Sequence, residues 1–319
     1  MADSSTTPPP ARAAADVAAD ELFPGFERFE AEVGDGVRIR GRRGGSGPAL
    51  LLLHGYPQTH VMWHRVAPRL AESFEVILPD LRGYGASDKP ATDAAHAPYA
   101  KRTMAQDMTR AMAAFGHERF DVAGHDRGGR VAHRLAADHP ERVGRLMLLD
   151  IAPTREMYAR TTDAFARAYW HWFFLIQPAP LPERAIGADP DAWLLHKCGG
   201  GSAGLAPFAA PALEHYLDAF RDPETVRASC EDYRAAASID IEHDDADGDA
   251  RLACPVRVLW GERGVIERCF DPLALWRLRA ADVSGRSLPG GHYLAEELPR
   301  ETLAEMLAFF ATDTDRSAP

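Results

Sequence analysis

The sequence predicts an α/β fold: a mostly parallel sheet with helices on both faces, interrupted by one all-helical insert. Three observations carry this expectation. Short continuous apolar runs recur at Ala49–Leu53, Phe74–Leu78, Phe120–Ala123, Leu146–Leu149 and Val256–Trp260, as strands buried on both faces require. Segments with helical spacing lie between or after them: Met62–Glu72, Arg102–Phe115, Gly129–Asp138, Pro272–Arg279 and Glu301–Phe310. Strands alternating with helices of this length build βαβ units. Finally, no strand pattern is found from about Pro153 to His243.

Ahead of the first apolar run, Phe26–Val33 and Val37–Arg40 alternate in polarity and read as a half-exposed antiparallel pair. The insert holds an aromatic helical stretch, Phe165–Ile176, and Pro- and Gly-rich loops at Gln177–Pro190 and Gly199–Pro211. A helical insert between two strands would lie as a lid over the carboxyl ends of the strands, where open α/β sheets bind ligands. The expected organisation is a disordered tail at residues 1–22, a core at 23–152 and 246–312, and a helical cap at 153–245.

Composition excludes several classes. A formal net charge of -11 over 319 residues disfavours a general nucleic-acid or anionic-membrane binder. The Ala-, Pro- and Ser-rich start has no basic segment followed by an apolar one, so it does not read as a signal peptide. No stretch approaches the roughly 18 apolar residues of a membrane helix. Cys198, Cys230, Cys254 and Cys269 form no CxxC pair; free thiols in a reducing cytoplasm are expected.

The chemical signal is Val122-Ala123-Gly124-His125-Asp126-Arg127-Gly128-Gly129-Arg130. A strand runs into small residues, a polar residue and two glycines that open a helix, the pattern of a nucleophile elbow. The usual occupant is Ser; here it is Asp126. A plain helix cap is the competing explanation. A carboxylate is ionised at neutral pH and can displace a leaving group from saturated carbon, giving an ester. Water must then cleave that ester, which needs a base. His292, in Pro289-Gly290-Gly291-His292-Tyr293, follows the last strand and is the candidate. The base needs an acid to fix its tautomer. Asp150, after Leu149, is chosen; Glu262 and Glu267 are fallbacks. Backbone N–H groups near Tyr56, in His54-Gly55-Tyr56-Pro57, and at Arg127 could form an oxyanion hole. The turn Arg82-Gly83-Tyr84-Gly85-Ala86-Ser87 lacks the Lys of a phosphate loop and reads as structural.

His54 to His64, Arg82 to Pro90 and Gly124 to His133 resemble the fluoroacetate (haloacetate) dehalogenases of the α/β-hydrolase superfamily, over about Pro24 to Phe310. The resemblance implies an eight-stranded sheet with an α-helical cap, Asp126 as nucleophile, His292 as base and Asp150 as its partner. It implies that Arg127 and Arg130 hold the substrate carboxylate, a role guanidinium groups suit because they bind carboxylates bidentately. It points to His171, Trp172 and Tyr233 as halide-binding N–H and O–H donors. It implies no metal or organic cofactor, and a homodimer. One departure is Gly201, where the family pattern has a Trp; a looser pocket wall there predicts that larger or chlorinated acids compete well with fluoroacetate and leaves the choice between fluoride and chloride open. The expected reaction is hydrolysis of a haloacetate to glycolate and halide, with only the acid and water as partners. An epoxide hydrolase, with Tyr233 and one of Tyr158, Tyr169 or Tyr216 as polarising donors, is the rival. A non-catalytic receptor on the same fold is the third reading, disfavoured by the Asp126, His292 and Asp150 set.

Overall fold

A computed structural model describes residues 19–200 and 203–311. The strands are β1 (Phe26–Glu32), β2 (Arg38–Gly45), β3 (Ala49–Leu53), β4 (Glu75–Pro79), β5 (Phe120–His125), β6 (Val143–Leu149), β7 (Val256–Gly261) and β8 (Val283–Leu288). They form one eight-stranded sheet in the order β1-β2-β4-β3-β5-β6-β7-β8. The β1–β2 and β2–β4 pairs are antiparallel. The other neighbours, from β4–β3 to β7–β8, run parallel. Every residue of β3 and β5 is buried, which is why their sequences read as unbroken rather than alternating runs. β8 (VSGRSL) is an edge strand with only Leu288 fully buried, so it carries no such run.

The helices differ from expectation where prolines and side-chain demands intervene. Met62–Glu72 is not one helix. His60–Trp63 is a 3-10 turn and Ala67–Leu70 a short α-helix with Pro68 in its first turn, a position where proline's missing N–H costs nothing. The helix expected from Gly129 starts at Asp126 and runs to Asp138. Between β6 and β7 lies a series of helices from Thr154–Ala159 to Ile239–Ala246. Phe165–Ile176 is split into Asp163–Ala168 and Trp170–Leu175 at Tyr169, whose φ of -107° and ψ of 38° leave the helical region. The stretch expected as a loop at Gln177–Pro190 contains the helix Leu181–Gly187, again with proline in its first turn.

Buried ion pairs tie these helices to the sheet layer: Arg127–Asp232, Arg134–Asp244 and Arg279–Glu156. At the amino end, Ala19 is buried and Asp20 pairs with Arg28 and Arg42. Ala19 and Leu22 pack against the core while Asp20 and Glu21 are exposed; the rest of the expected tail lies outside the described residues. Among the described residues no helix is long and apolar enough to cross a membrane. Cys198, Cys230, Cys254 and Cys269 are free.

Candidate active site

Four loops at the carboxyl ends of β3, β5, β6 and β8 converge. Asp126 follows β5 directly and has φ +45°, in the left-handed region. A non-glycine residue there is strained and needs surroundings that over-determine it. The neighbouring glycines provide them. A Cβ on Gly128 would lie 2.3 Å from the His54 carbonyl oxygen, and one on Gly124 would lie 2.6 Å from that of Gly128. Helix Asp126–Asp138 therefore packs against β3 and β5 only because both positions lack side chains. The strain turns the Asp126 carboxylate out of the helix and into the cavity it lines.

One carboxylate oxygen is fixed. Tyr56 N–H donates to Asp126 Oδ1 at 3.0 Å, leaving Oδ2 for other work. The Arg127 N–H lies in the first turn of its helix, where amides have no intrahelical acceptor. Burial works to raise the Asp126 pKa, but the charge of His292, followed by those of Arg130 and Arg127, outweighs it and holds the group below the usual carboxylate value.

His292 Nδ1 lies 2.6 Å from Asp150 Oδ2, and Asp150 Oδ1 accepts from Gly261 N–H at 2.9 Å. Asp150, fully buried with φ +51°, is thus aimed at the imidazole from the tip of β6. It keeps the proton on Nδ1 and leaves Nε2 as an acceptor. Burial disfavours the imidazolium, but the hydrogen bond and charge of Asp150, followed by the charge of Asp126, raise the His292 pKa. Asp150 itself is shifted up by burial, against the pull of His292. The fallback acids lie elsewhere: Glu262 is exposed, and Glu267 accepts from the Trp260 indole.

The arginines correct one expectation. Neither offers a free fork to a carboxylate. Arg127 Nε and Nη2 are held by Asp232 at 2.9 and 2.8 Å, leaving only Nη1 unpartnered. Arg130 Nη1 is held by the Ala152 carbonyl and Thr154 Oγ1, leaving Nε unpartnered. A ligand would receive separate N–H groups from two side chains. The guanidinium groups sit on aromatic rings, Arg127 4.1 Å from the Tyr233 centroid and Arg130 4.6 Å from that of Trp172. Burial and the charge of Arg127 lower the Arg130 pKa.

His171, Trp172 and Tyr233 come together, with ring centroids 5.9 Å apart for His171–Tyr233 and 6.3 Å for Trp172–Tyr233. His171 Nδ1 and Trp172 Nε1 are buried without partners. Burial, aided by Lys197 and other cations, pushes the His171 pKa well down, so its ring is neutral. Buried donors without partners are rare in proteins and need an explanation; five groups here, counting the Tyr158 hydroxyl with the two arginines, lie in one contiguous cluster. The cavity of about 220 Å³ is lined by Asp126, His171, Tyr233 and His292, while Arg127, Arg130, Trp172 and Tyr158 lie behind that lining; it is below the roughly 300–1,000 Å³ of drug-sized pockets. Tyr216 is turned away and donates to Glu296. Gly201 lies outside the described residues.

Sequence reasoning missed two supporting residues. Asp232 also accepts from Lys101 and from Tyr84 Oη, at 2.6 Å for the latter, so it fixes Arg127 and lies well below the usual carboxylate range. Its adjacency to Tyr233 was the available signal. His125, pushed down to about 3 by burial and by His292, is neutral, and its Nε2–H donates to the His292 carbonyl at 2.9 Å. It props the loop that carries the imidazole.

Eight strands in this order, crossed over by helices and carrying an acid–histidine–acid set on strand ends, define a hydrolase. The sequence profile of the alpha/beta hydrolase fold family matches residues 48–280. The chain is 47% identical to a fluoroacetate dehalogenase of Burkholderia sp, over 92% of this chain and 96% of that one. It is 32% identical to a soluble epoxide hydrolase of Corynebacterium sp. (strain C12), over 87% of this chain and 95% of that one. Among solved structures, a putative alpha/beta hydrolase from Nostoc sp PCC 7120 superposes with a TM-score of 0.88 at 53% identity, covering 90% of this chain and 99% of that one. The chain belongs to the alpha/beta hydrolase fold family and, within it, to the fluoroacetate dehalogenase family.

Proposed function

We propose that this hydrolase cleaves the carbon–halogen bond of haloacetates, fluoroacetate and chloroacetate, giving glycolate and halide. The observation that carries the reading is the pair of buried guanidinium groups beside Asp126, each with an N–H left unpartnered. Arg127 is already paired with Asp232, but Arg130 is buried with no carboxylate partner among the described residues; a desolvated cation is costly without an anion to receive, and a haloacetate brings a carboxylate.

The substrate carboxylate accepts from Arg127 Nη1 and Arg130 Nε. Asp126 Oδ2 attacks the carbon that bears the halogen. The carbon–halogen bond breaks, the halide leaves with the electron pair, and the donors of His171, Trp172 and Tyr233 receive its charge. The product is an ester on Asp126. Alkylation removes the negative charge that helped hold His292 protonated, so the imidazole becomes a better-poised base as it is needed. His292 Nε2 takes a proton from water, and the hydroxide formed attacks the ester carbonyl carbon. The resulting oxyanion lies where Tyr56 N–H already donates, with the Arg127 N–H beside it. Collapse breaks the ester and releases glycolate, restoring Asp126; the proton on His292 passes to solvent. Water and haloacetate thus give glycolate, halide and a proton. The helices between β6 and β7 act as the cap that keeps bulk water from the donors. The four free cysteines support a cytoplasmic location.

The epoxide hydrolase reading has one observation of its own: Tyr169 and Tyr233 both line the cavity and could polarise an epoxide. Halide release from fluoroacetate and chloroacetate, run beside hydrolysis of styrene oxide, decides between them. Halide release with little diol supports the dehalogenase; diol without halide overturns it. Comparing the two acids at equal concentration tests the leaving-group expectation, which a large preference for fluoroacetate would overturn.

A further inference from the structure

Three cations at the cavity have no role in the chemistry above. Lys197, on helix Pro190–Gly199, lines the cavity together with Arg263 and Arg268, which follow β7. Lys197 is half-buried and the two arginines are exposed. Lys197 Nζ stands 5.7 Å from the Trp170 ring centroid, and Arg268 Nε donates to the Gly264 carbonyl at 3.3 Å. None of the three is paired with a carboxylate among the described residues, whereas Arg127, Arg134 and Arg279 each are. The only acidic side chain that lines the cavity among the described residues is Asp126.

This distribution runs against the rest of the molecule. With a net charge of -11, an incoming anion meets a repulsive surface. Screening limits such fields to about 8 Å at physiological ionic strength, so charges at the mouth govern the last stage of approach. A cleft lined by one sign of charge concentrates counter-ions. Resting on the small-anion reading of the previous subsection, we propose that Lys197, Arg263 and Arg268 form an anion-collecting vestibule. It is a second, shallower site that holds a small carboxylate before it reaches Asp126. Lys197 is the inner member: its shielding by the Trp170 ring and the cavity wall makes its charge count for more than those of the exposed arginines. The same three groups give the released halide a path outward.

The test uses unreactive ligands of matched shape, so that it does not depend on turnover. Acetate and acetamide are titrated by ligand-observed NMR into the wild type, Lys197→Met, Lys197→Arg and the triple Lys197→Met/Arg263→Ser/Arg268→Ser variant. Lys197→Met is expected to weaken acetate about 3–10-fold and the triple variant further. Lys197→Arg should retain wild-type affinity, and acetamide should bind all four alike. The wild-type advantage for acetate should shrink as salt is raised from 0.01 to 1 M. Three results overturn the vestibule: wild-type acetate affinity in the triple variant, an equal loss for acetamide, or a wild type that binds acetate no better than acetamide. Absence of halide release with the acetate difference intact would instead overturn the dehalogenase reading and leave the vestibule standing.

Discussion

Replacing Arg130 with Gln separates the two chemistries this site could perform. The side chain is buried, carries a cation depressed by burial and by Arg127, and has one N–H without a partner. In the proposed reaction that N–H meets the substrate carboxylate, and the charge offsets repulsion between two carboxylates. Losing a buried charge-assisted hydrogen bond costs about 2–4 kcal/mol, and each 1.4 kcal/mol is about tenfold in rate. kcat/KM for chloroacetate should therefore fall roughly 30- to 1,000-fold, while hydrolysis of a neutral epoxide should change by much less. The structural cost is smaller. Three hydrogen bonds, to the Ala152 carbonyl, Thr154 Oγ1 and Met157 Sδ, are lost at about 1 kcal/mol or less each, and removing a desolvated cation offsets part of that. Steady-state halide release at 25 °C, with thermal unfolding of the same preparation, gives the answer. A folded Arg130→Gln enzyme that keeps wild-type kcat/KM for chloroacetate would refute the assignment of this arginine to the carboxylate.

Other consequences follow from the same geometry. His292→Gln should stop the second step while leaving the first, so intact-mass spectrometry after mixing with chloroacetate should show the ester on Asp126; in the wild type, single turnover in heavy-oxygen water should place the label in Asp126 and not in the first glycolate. Because the base must be neutral, kcat should fall as pH drops through the pKa of His292. Asp150 holds that pKa up, so Asp150→Asn should move the acidic limb of the pH profile to lower pH while reducing the plateau by about 10²–10⁴-fold; an unmoved limb would assign it to another group. Glu296, raised to about 8 by burial against hydrogen bonds from Tyr216 and Gln58, binds a proton in the folded state that the unfolded chain has released. Its penalty therefore grows as pH rises from its ordinary value toward 8, on the order of 1.4 kcal/mol per pH unit. Glu296→Gln should raise the unfolding temperature at pH 8 more than at pH 5, and an equal gain at both would reject the shift.

The local pattern of the chain was sufficient for the parallel sheet because β3 and β5 are buried on both faces and must be apolar throughout. It was also sufficient to single out Asp126, since a polar residue flanked by glycines between a strand and a helix is a local feature. The polar edge strand β8 and the proline-divided helices were harder to read, because neighbours rather than intrinsic preference hold them in place. What the sequence could not give was partnership. Asp150 and His292 are separated by 142 positions and become partners only when β6 and β8 end at the same edge of the sheet. Arg127 looked like a free carboxylate fork until helix Pro223–Ala236 brought Asp232 to it. Residue types set the available charges and donors; the packing of elements distant along the chain decides which of them are already spent on each other and which remain for a ligand.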